Sequence, residues 1–268
     1  MANDIRDVIF ASIRDRVYTA RLIVEQDGVL SGIKRLQAAL EEKQLTYRLF
    51  KQDGDRVEAG EVIMTLSGRP KEIAVAEEFV IGMISKPSGI ATAARKAVEY
   101  AGSLRVVSGA WKKMPPEIKQ SVREAVSHGG AQFRIVDTPF LYLDKNFVRM
   151  LGGVKETLTA VSAMPELKVI QLKGESGNIA EEAKAAVEAG AGIIMVDTGN
   201  LEDLRKVSAC LRESGCRSGV RLAFARGISL EDIPALQCED IDILDIGMQI
   251  IDAPLLDMRI DVAGGLLP

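Results

Sequence analysis

The stretch GAWKKMPPE, residues 109–117, holds the only tryptophan of a 268-residue chain, followed at once by two lysines. Trp111 offers an aromatic face that can stack on a ring or a cation. Lys112 offers an ammonium for phosphate or carboxylate. The plainer uses are packing for Trp111 and solvation for Lys112. The apolar run Leu104, Val106, Val107 ahead of them reads as a strand, and the two prolines open a helix. An indole at a strand end beside adjacent cations points to a site. Histidine general-base chemistry is not expected. The single His128 lies just before Gly129-Gly130, where it reads as the cationic side chain of a last helical turn.

Elements that position these residues follow from hydrophobic pattern. Short apolar, β-branched runs occur at 104–107, FRIV 133–136, 168–172, 192–196, 220–224 and 241–246. Such runs read as strands buried on both faces of a parallel sheet. Capped helices separate most of them, with Asn178 and Asn200 as N-caps and glycine after the ends. The first hundred residues differ: a helix from Asp4 to about Val17, a strand over ARLIVEQDGVL, a helix over GIKRLQAALEEK and a strand over LTYRLF. GDRVEAGEVIMTLSG then reads as two short strands around a glycine turn, similar to the hairpin of lipoyl or biotinyl carriers. It runs into SGRPKEI instead of presenting a lysine at the next turn.

Composition narrows the function. The chain is 47% hydrophobic and 27% charged, ordinary for a folded globular protein. A net charge of −4 and a pI near 5.3 argue against nucleic-acid binding. They leave room for a local basic pocket for a small phosphorylated or carboxylated molecule. No apolar stretch approaches the roughly 20 residues of a membrane span, and the N-terminus lacks a signal-peptide core. Cys210, Cys216 and Cys238 have no paired metal-ligand spacing and read as idle thiols in a reducing cytoplasm.

GDRVEAGEVIMTLSG, then Glu77, then PSGIATAARKAVEYAG, with SGIAT as a helix start, resembles the quinolinate phosphoribosyltransferase family. The ordered series continues with a basic strand end, GG…R before the next strand, an aspartate ending a strand, a Gly-Ile pair and DIG. The resemblance implies an α/β protein with an N-terminal α+β open-faced sandwich lobe and a six-stranded incomplete α/β barrel. The expected bounds are 1–103 for the lobe and 104–252 for the barrel, with a tail over 253–268 packing back on the lobe. It also implies a homodimer whose sites borrow residues from the partner, with Mg²⁺ and phosphoribosyl pyrophosphate joined to a pyridine dicarboxylate.

Carried over residue by residue, the resemblance places Lys112 on the family lysine and Trp111 on its arginine. Glu78 replaces an arginine, Phe133 replaces a histidine, and Arg134 is kept. Asp144 fits the family aspartate with Lys145 beside it, and Glu175 is the match for the catalytic glutamate. Asp197 is the aspartate at a strand end, a candidate Mg²⁺ ligand or alternatively a helix cap. Ala223 stands where the family has an acid. Gly227 and Gly247 flank the expected phosphate site, Arg226 adds a cation, and Ser229 with Asp232 can cap the following helix. Each lost charge-assisted bond removes about 1.5–3 kcal/mol of carboxylate affinity. The expected function is therefore a phosphoribosyltransferase with altered acceptor specificity. The rivals are a catalytically silent nucleotide-binding paralogue and a barrel lyase or decarboxylase using a lysine.

Overall fold

The computed structural model describes residues 4–175 and 177–266. In chain order the elements are α1 (Ile5–Ile9), β1 (Val17–Val24), β2 (Gly28–Val29), α2 (Ile33–Glu42), β3 (Thr46–Leu49), β4 (Arg56–Val57), β5 (Val62–Gly68) and α3 (Pro70–Ala101). They continue with β6 (Arg105–Val107), a 3₁₀ turn (Ala110–Lys113), α4 (Pro116–His128), β7 (Phe140–Leu143), α5 (Lys145–Leu151), α6 (Val154–Ala160), β8 (Leu167–Leu172) and α7 (Ile179–Glu188). The last are β9 (Ile193–Val196), α8 (Leu201–Glu213), a 3₁₀ turn (Arg217–Gly219), β10 (Arg221–Ala225), α9 (Ile233–Leu236), β11 (Ile243–Asp245), α10 (Met248–Ile251) and β12 (Met258–Leu266).

The protein divides into two compact units that are not contiguous in sequence. One comprises Met1–Arg95, Pro115–Gly130 and Asp252–Pro268, the other Lys96–Met114 and Ala131–Ile251. In the first, an antiparallel sheet runs β12-β1-β5-β3, so the C-terminal strand pairs with the first strand. Leu22, Ile63, Met64 and Leu66 are buried with Leu36 and Leu40 of α2 and Val80 and Ile84 of α3. Each such side chain contributes about 1.5–3 kcal/mol by leaving water.

Three local expectations change in this unit. β4 pairs with β2 and β5 with β1 and β3, so GDRVEAGEVIMTLSG is two strands of different sheets and no carrier hairpin. The N-terminal helix is only Ile5–Ile9, because it buries none of its residues and a helix so short is marginal without packing. SGIAT begins no helix: α3 runs uninterrupted through Pro87. Pro87 cannot donate to the carbonyl of Met83, and Gly32 packs there, where a Cβ would stand 2.8 Å from that oxygen. Gly89 of the motif is a packing glycine, since a Cβ would meet the Pro254 carbonyl oxygen at 1.9 Å.

The second unit is a parallel sheet of order β6-β11-β10-β9-β8-β7. β7 to β11 follow one another in sequence, and β6 closes on β11, which is barrel order. Between β6 and β7 the described residues show a single bridge, Val107 to Gln132, so the ring stays open at that seam. FRIV, expected as the second strand, is the seam segment. Ile135 and Val136 are buried in the barrel interior, but the position beside β8 is taken by Phe140–Leu143. Val107, Val169, Ile193, Met195, Ala223, Ala225 and Ile243 fill that interior. The fold class, an α+β lobe and an incomplete six-stranded α/β barrel, is thus the one expected.

Candidate functional site at the barrel mouth

In a parallel barrel the connections leaving the C-terminal strand ends carry the chemistry, because they share one rim. Here that rim bears Gly109–Lys113 after β6, Asp144 after β7, Lys173 and Glu175 after β8, Asp197 after β9, Arg226 and Gly227 after β10, and Asp245–Gly247 at the end of β11. Pairing register orders the inward side chains. Asp245 pairs with Ala225 on one side and Val107 on the other, and both neighbours belong to the interior core. Leu172, Val196 and Phe224 are in register, so Lys173, Asp197 and Ala225 share the next level. Side chains alternate between faces, so this top level of the barrel reads Lys173, Asp197, Ala225, Asp245, Val107.

Asp197 is the most engaged of these residues. Its carboxylate takes an ion pair from Lys173 at 2.7 Å and a hydrogen bond from the amide of Gln171, while Lys173 also donates to its backbone carbonyl. The other end of Gln171 accepts the backbone N–H of Lys145 at 2.8 Å, tying the start of α5 to β8. Neither Gln171 nor Lys173 was singled out from sequence. The signal was available: Gln171 is a polar residue inside an otherwise apolar strand, two residues before a lysine.

Asp245 is the other missed residue, and it lies within the quoted DIG neighbourhood. Its Oδ1 accepts the backbone N–H of Gly109 at 3.1 Å. Burial pushes its pKa up to about 6, with Asp197 adding to the rise while the Gly109 bond, Lys112 and Lys113 oppose it. Tyr142 of β7 completes the interior polar group. Burial, then Asp245, Asp197 and Asp144, hold its phenol well above the ordinary range. The ammonium of Lys112 stands 6.0 Å from the Tyr142 ring centroid, a cation over an aromatic face.

The remaining expected residues fall in several places. Trp111 donates its indole N–H to the carbonyl of Phe133 at 2.8 Å, which joins the end of β6 to the seam. Asp144 caps α5, accepting from the backbone N–H groups of Asn146 and Phe147 at 2.8 and 3.3 Å. Lys145 is exposed. Glu175 is held by Arg149 in a bidentate pair, Nε and Nη2 each donating to one carboxylate oxygen, and that pairing lowers its pKa. Arg134 stacks on Phe140 at 5.4 Å from the ring centroid. Phe140 opens β7, whereas Asp144 follows its far end. Glu78 belongs to the other unit, where it pairs with Arg6. Arg226 and Gly227 are exposed at positive φ of 82° and 72°. The neighbouring Gly199, at φ 73°, comes so close that a Cβ would meet the Arg226 carbonyl at 2.6 Å. A Cβ on Gly247 would stand 3.4 Å from the Ala110 side chain. Ser229 and Asp232 bond one another at 2.6 Å, ahead of a helix of only four residues.

A parallel barrel with charged and aromatic groups at its C-terminal rim places them where α/β barrel enzymes carry their chemistry. The sequence family model for the quinolinate phosphoribosyl transferase C-terminal domain matches residues 90–261, and that for the N-terminal domain matches 7–88. The chain belongs to the quinolinate phosphoribosyl transferase family, a family of pentosyltransferase enzymes. It is 28% identical over 248 residues to a probable nicotinate-nucleotide pyrophosphorylase (carboxylating) of Archaeoglobus fulgidus, covering 91% of this chain and 93% of the relative. It is 26% identical to the human nicotinate-nucleotide pyrophosphorylase (carboxylating), covering 90% and 81%. The fold is that of the nicotinate-nucleotide pyrophosphorylase of Pyrococcus furiosus. That solved structure superposes with a TM-score of 0.82 at 19% identity, over 97% of this chain and 72% of the other. No helix among the described residues is long and apolar enough to cross a membrane.

Proposed function

We propose that the protein transfers a phosphoribosyl group from phosphoribosyl pyrophosphate to the nitrogen of an aromatic ring less acidic than a pyridine dicarboxylate. The observation that carries this reading is the charge at the top of the barrel. Asp197 and Asp245 face inward there, while Arg134 rests on Phe140 and Arg149 on Glu175. A dianionic ring placed there would meet the carboxylate of Asp245, which has no ion-pair partner among the described residues, while the nearby lysines are engaged with Asp197 and Tyr142.

In the proposed reaction pyrophosphate leaves C1 of the ribose with the bonding electron pair, and the ring nitrogen donates its lone pair to C1. The charge developing on the ribose favours a facing carboxylate, so Asp197 is the candidate for that contact. The barrel's contribution is otherwise orientation, in keeping with a chain whose one histidine lies outside the barrel unit, hydrogen-bonded to Ser31. Arg226, Gly227 and Gly247 are the candidate phosphate contacts, with Lys112 free to swing from Tyr142. Mg²⁺ would take Asp197 as its protein ligand and its other oxygens from donor and water, the usual pattern for this ion. Among the described residues no group of three or more acids, histidines or cysteines converges, so a dedicated protein cage for the ion is not proposed. A homodimer with shared sites and a reducing cytoplasmic setting, suited to the three free cysteines, complete the reading.

The test is pyrophosphate release with phosphoribosyl pyrophosphate and Mg²⁺ across quinolinate, nicotinate and neutral or methylated rings, each positive followed by mass detection of the mononucleotide. Turnover confined to less acidic rings supports the proposal, and efficient use of quinolinate overturns the specificity claim. A second reading, a silent paralogue that binds the donor without turnover, is favoured by one observation: Lys173 and Gln171 already occupy the Asp197 carboxylate. Donor binding by calorimetry with no pyrophosphate released from any ring would select it.

A further inference from the structure

We infer that Asp245 is the specificity-determining residue for the ring: its carboxylate receives an N–H donor of a neutral or cationic nitrogen heterocycle and rejects a ring carboxylate. The inference rests on the phosphoribosyl-transfer reading and adds the residue and the ligand chemistry.

The placement comes from the register. Asp245 sits between Val107 and Ala225 on the inward face, and Asp197 lies on the far side of Ala225. Two carboxylates thus flank a strand whose inward side chains, Ala223 and Ala225, are methyl groups. Strands repeat at about 4.8 Å, so the backbones that carry the two acids are about 10 Å apart across β10.

The Asp245 carboxylate is fixed and unspent. Its Oδ1 accepts Gly109 N–H at 3.1 Å, and a Cβ on Gly109 would lie 3.4 Å from Oδ2, so the chain after β6 holds the group in place. Among the described residues no lysine or arginine forms an ion pair with it, in contrast to Asp197. A carboxylate oriented by one backbone donor keeps lone pairs for another. The raised pKa agrees with this geometry: burial, the largest cause, and Asp197 push it up, and the Gly109 bond with the more distant Lys112 and Lys113 offsets them only in part. A ring amide, or a ring N–H other than the reacting nitrogen, supplies the missing donor, while a carboxylate brings a second negative charge beside Asp245.

The experiment uses nicotinamide and nicotinate, rings that differ only in amide against carboxylate. Binding of each is measured by calorimetry on the full chain saturated with phosphoribosyl pyrophosphate and Mg²⁺. Wild type should favour nicotinamide. Asp245→Asn, which keeps an oxygen for Gly109, should shift the preference toward nicotinate by about tenfold, as should Asp245→Ser. Melting profiles establish that each variant is folded, and either folded variant suffices. A preference ratio unchanged within twofold overturns the inference, as does wild-type preference for nicotinate or failure of both rings to bind. Failure of the donor itself to bind would instead overturn the phosphoribosyl reading. The two failures are therefore distinct.

Discussion

The two halves of the barrel rim are built on opposite electrostatic plans. After β8 and β9, Lys173, Gln171, Asp197 and the start of α5 close a circuit of hydrogen bonds in which the charge is neutralised internally. After β10, β11 and β6, the described residues leave Arg226, Lys112 and Asp245 without ion-pair partners. A closed circuit gives rigidity and fixes one conformation, at a desolvation cost already met within the fold. An open set holds charge ready for something that is not part of the chain. Pre-organisation on one side and unmet charge on the other are what a site needs if its ligand arrives with phosphates and a ring.

The sharpest way to break that comparison is to open the circuit. Lys173→Met leaves Asp197 partly buried beside an uncharged side chain, and removing one partner of such a pair costs about 2–4 kcal/mol. Denaturant midpoints should show that loss, and Asp197→Asn in the same chain should restore much of it. A loss below about 0.5 kcal/mol would mean that the circuit contributes little rigidity. The open half should respond in the opposite sense. Asp245 has its folded pKa raised from 3.8 to about 6, so the folded state binds its proton more tightly than the unfolded chain. Stability contributed by the neutral form is present at low pH and is lost as pH rises through roughly 4 to 6. Asp245→Asn should therefore stabilise the protein by about 2 kcal/mol at pH 7.5, with the gain vanishing near pH 4. Melting temperatures at the two pH values decide it, and a destabilised variant at pH 7.5 would reverse the assignment of Asp245 as a strained, unpaired group.

The halves also differ in how far a sequence reading reaches. Strand ends such as VDTGN and AFARGI are conspicuous because an apolar run stops at a charge, and the family resemblance carries over onto Asp197 and Arg226 there. Gln171 and Asp245 lie inside the runs, where alternation is needed to know which face they take, and alternation needs the register. Ala225 pairing with Asp245 settles what DIG alone leaves ambiguous. The seam shows the same limit. FRIV has strand composition and buries Ile135 and Val136, but pairing beside β8 went to FLYL, seven residues on. In SGIAT the misreading has a different cause: proline ordinarily marks a helix start, whereas here Gly32 and the segment at Pro254 pack against the interrupted backbone and let α3 continue. Glu175 was drawn from a loop whose local sequence fixes no direction, and Arg149 on α5 claims it.

Arg226 gives a test in which stability and binding should part. Its φ of +82° is a region that costs a side-chain-bearing residue about 1 kcal/mol, and it forms no ion pair among the described residues. Arg226→Gly should raise stability by about that amount while weakening phosphoribosyl pyrophosphate binding roughly tenfold, about 1.4 kcal/mol. Calorimetric titration of the donor alongside thermal melts separates the two effects, and unchanged donor affinity would remove Arg226 from the phosphate contacts.

The smallest expected effect concerns Trp111. Its indole N–H reaches the Phe133 carbonyl, so Trp111→Phe keeps an aromatic body and deletes one hydrogen bond, worth about 1 kcal/mol. If Trp111 only ties the seam to β6, stability falls by that amount and ring binding with donor present is unchanged. If the indole also faces the acceptor, phenylalanine offers a weaker π surface, and affinity for a cationic N-methylated ring should fall severalfold more than affinity for its neutral parent. The paired affinities therefore assign Trp111 either to the seam alone or to the open half of the rim as well. Only the second result makes the indole a partner of Asp245 in selecting the ring.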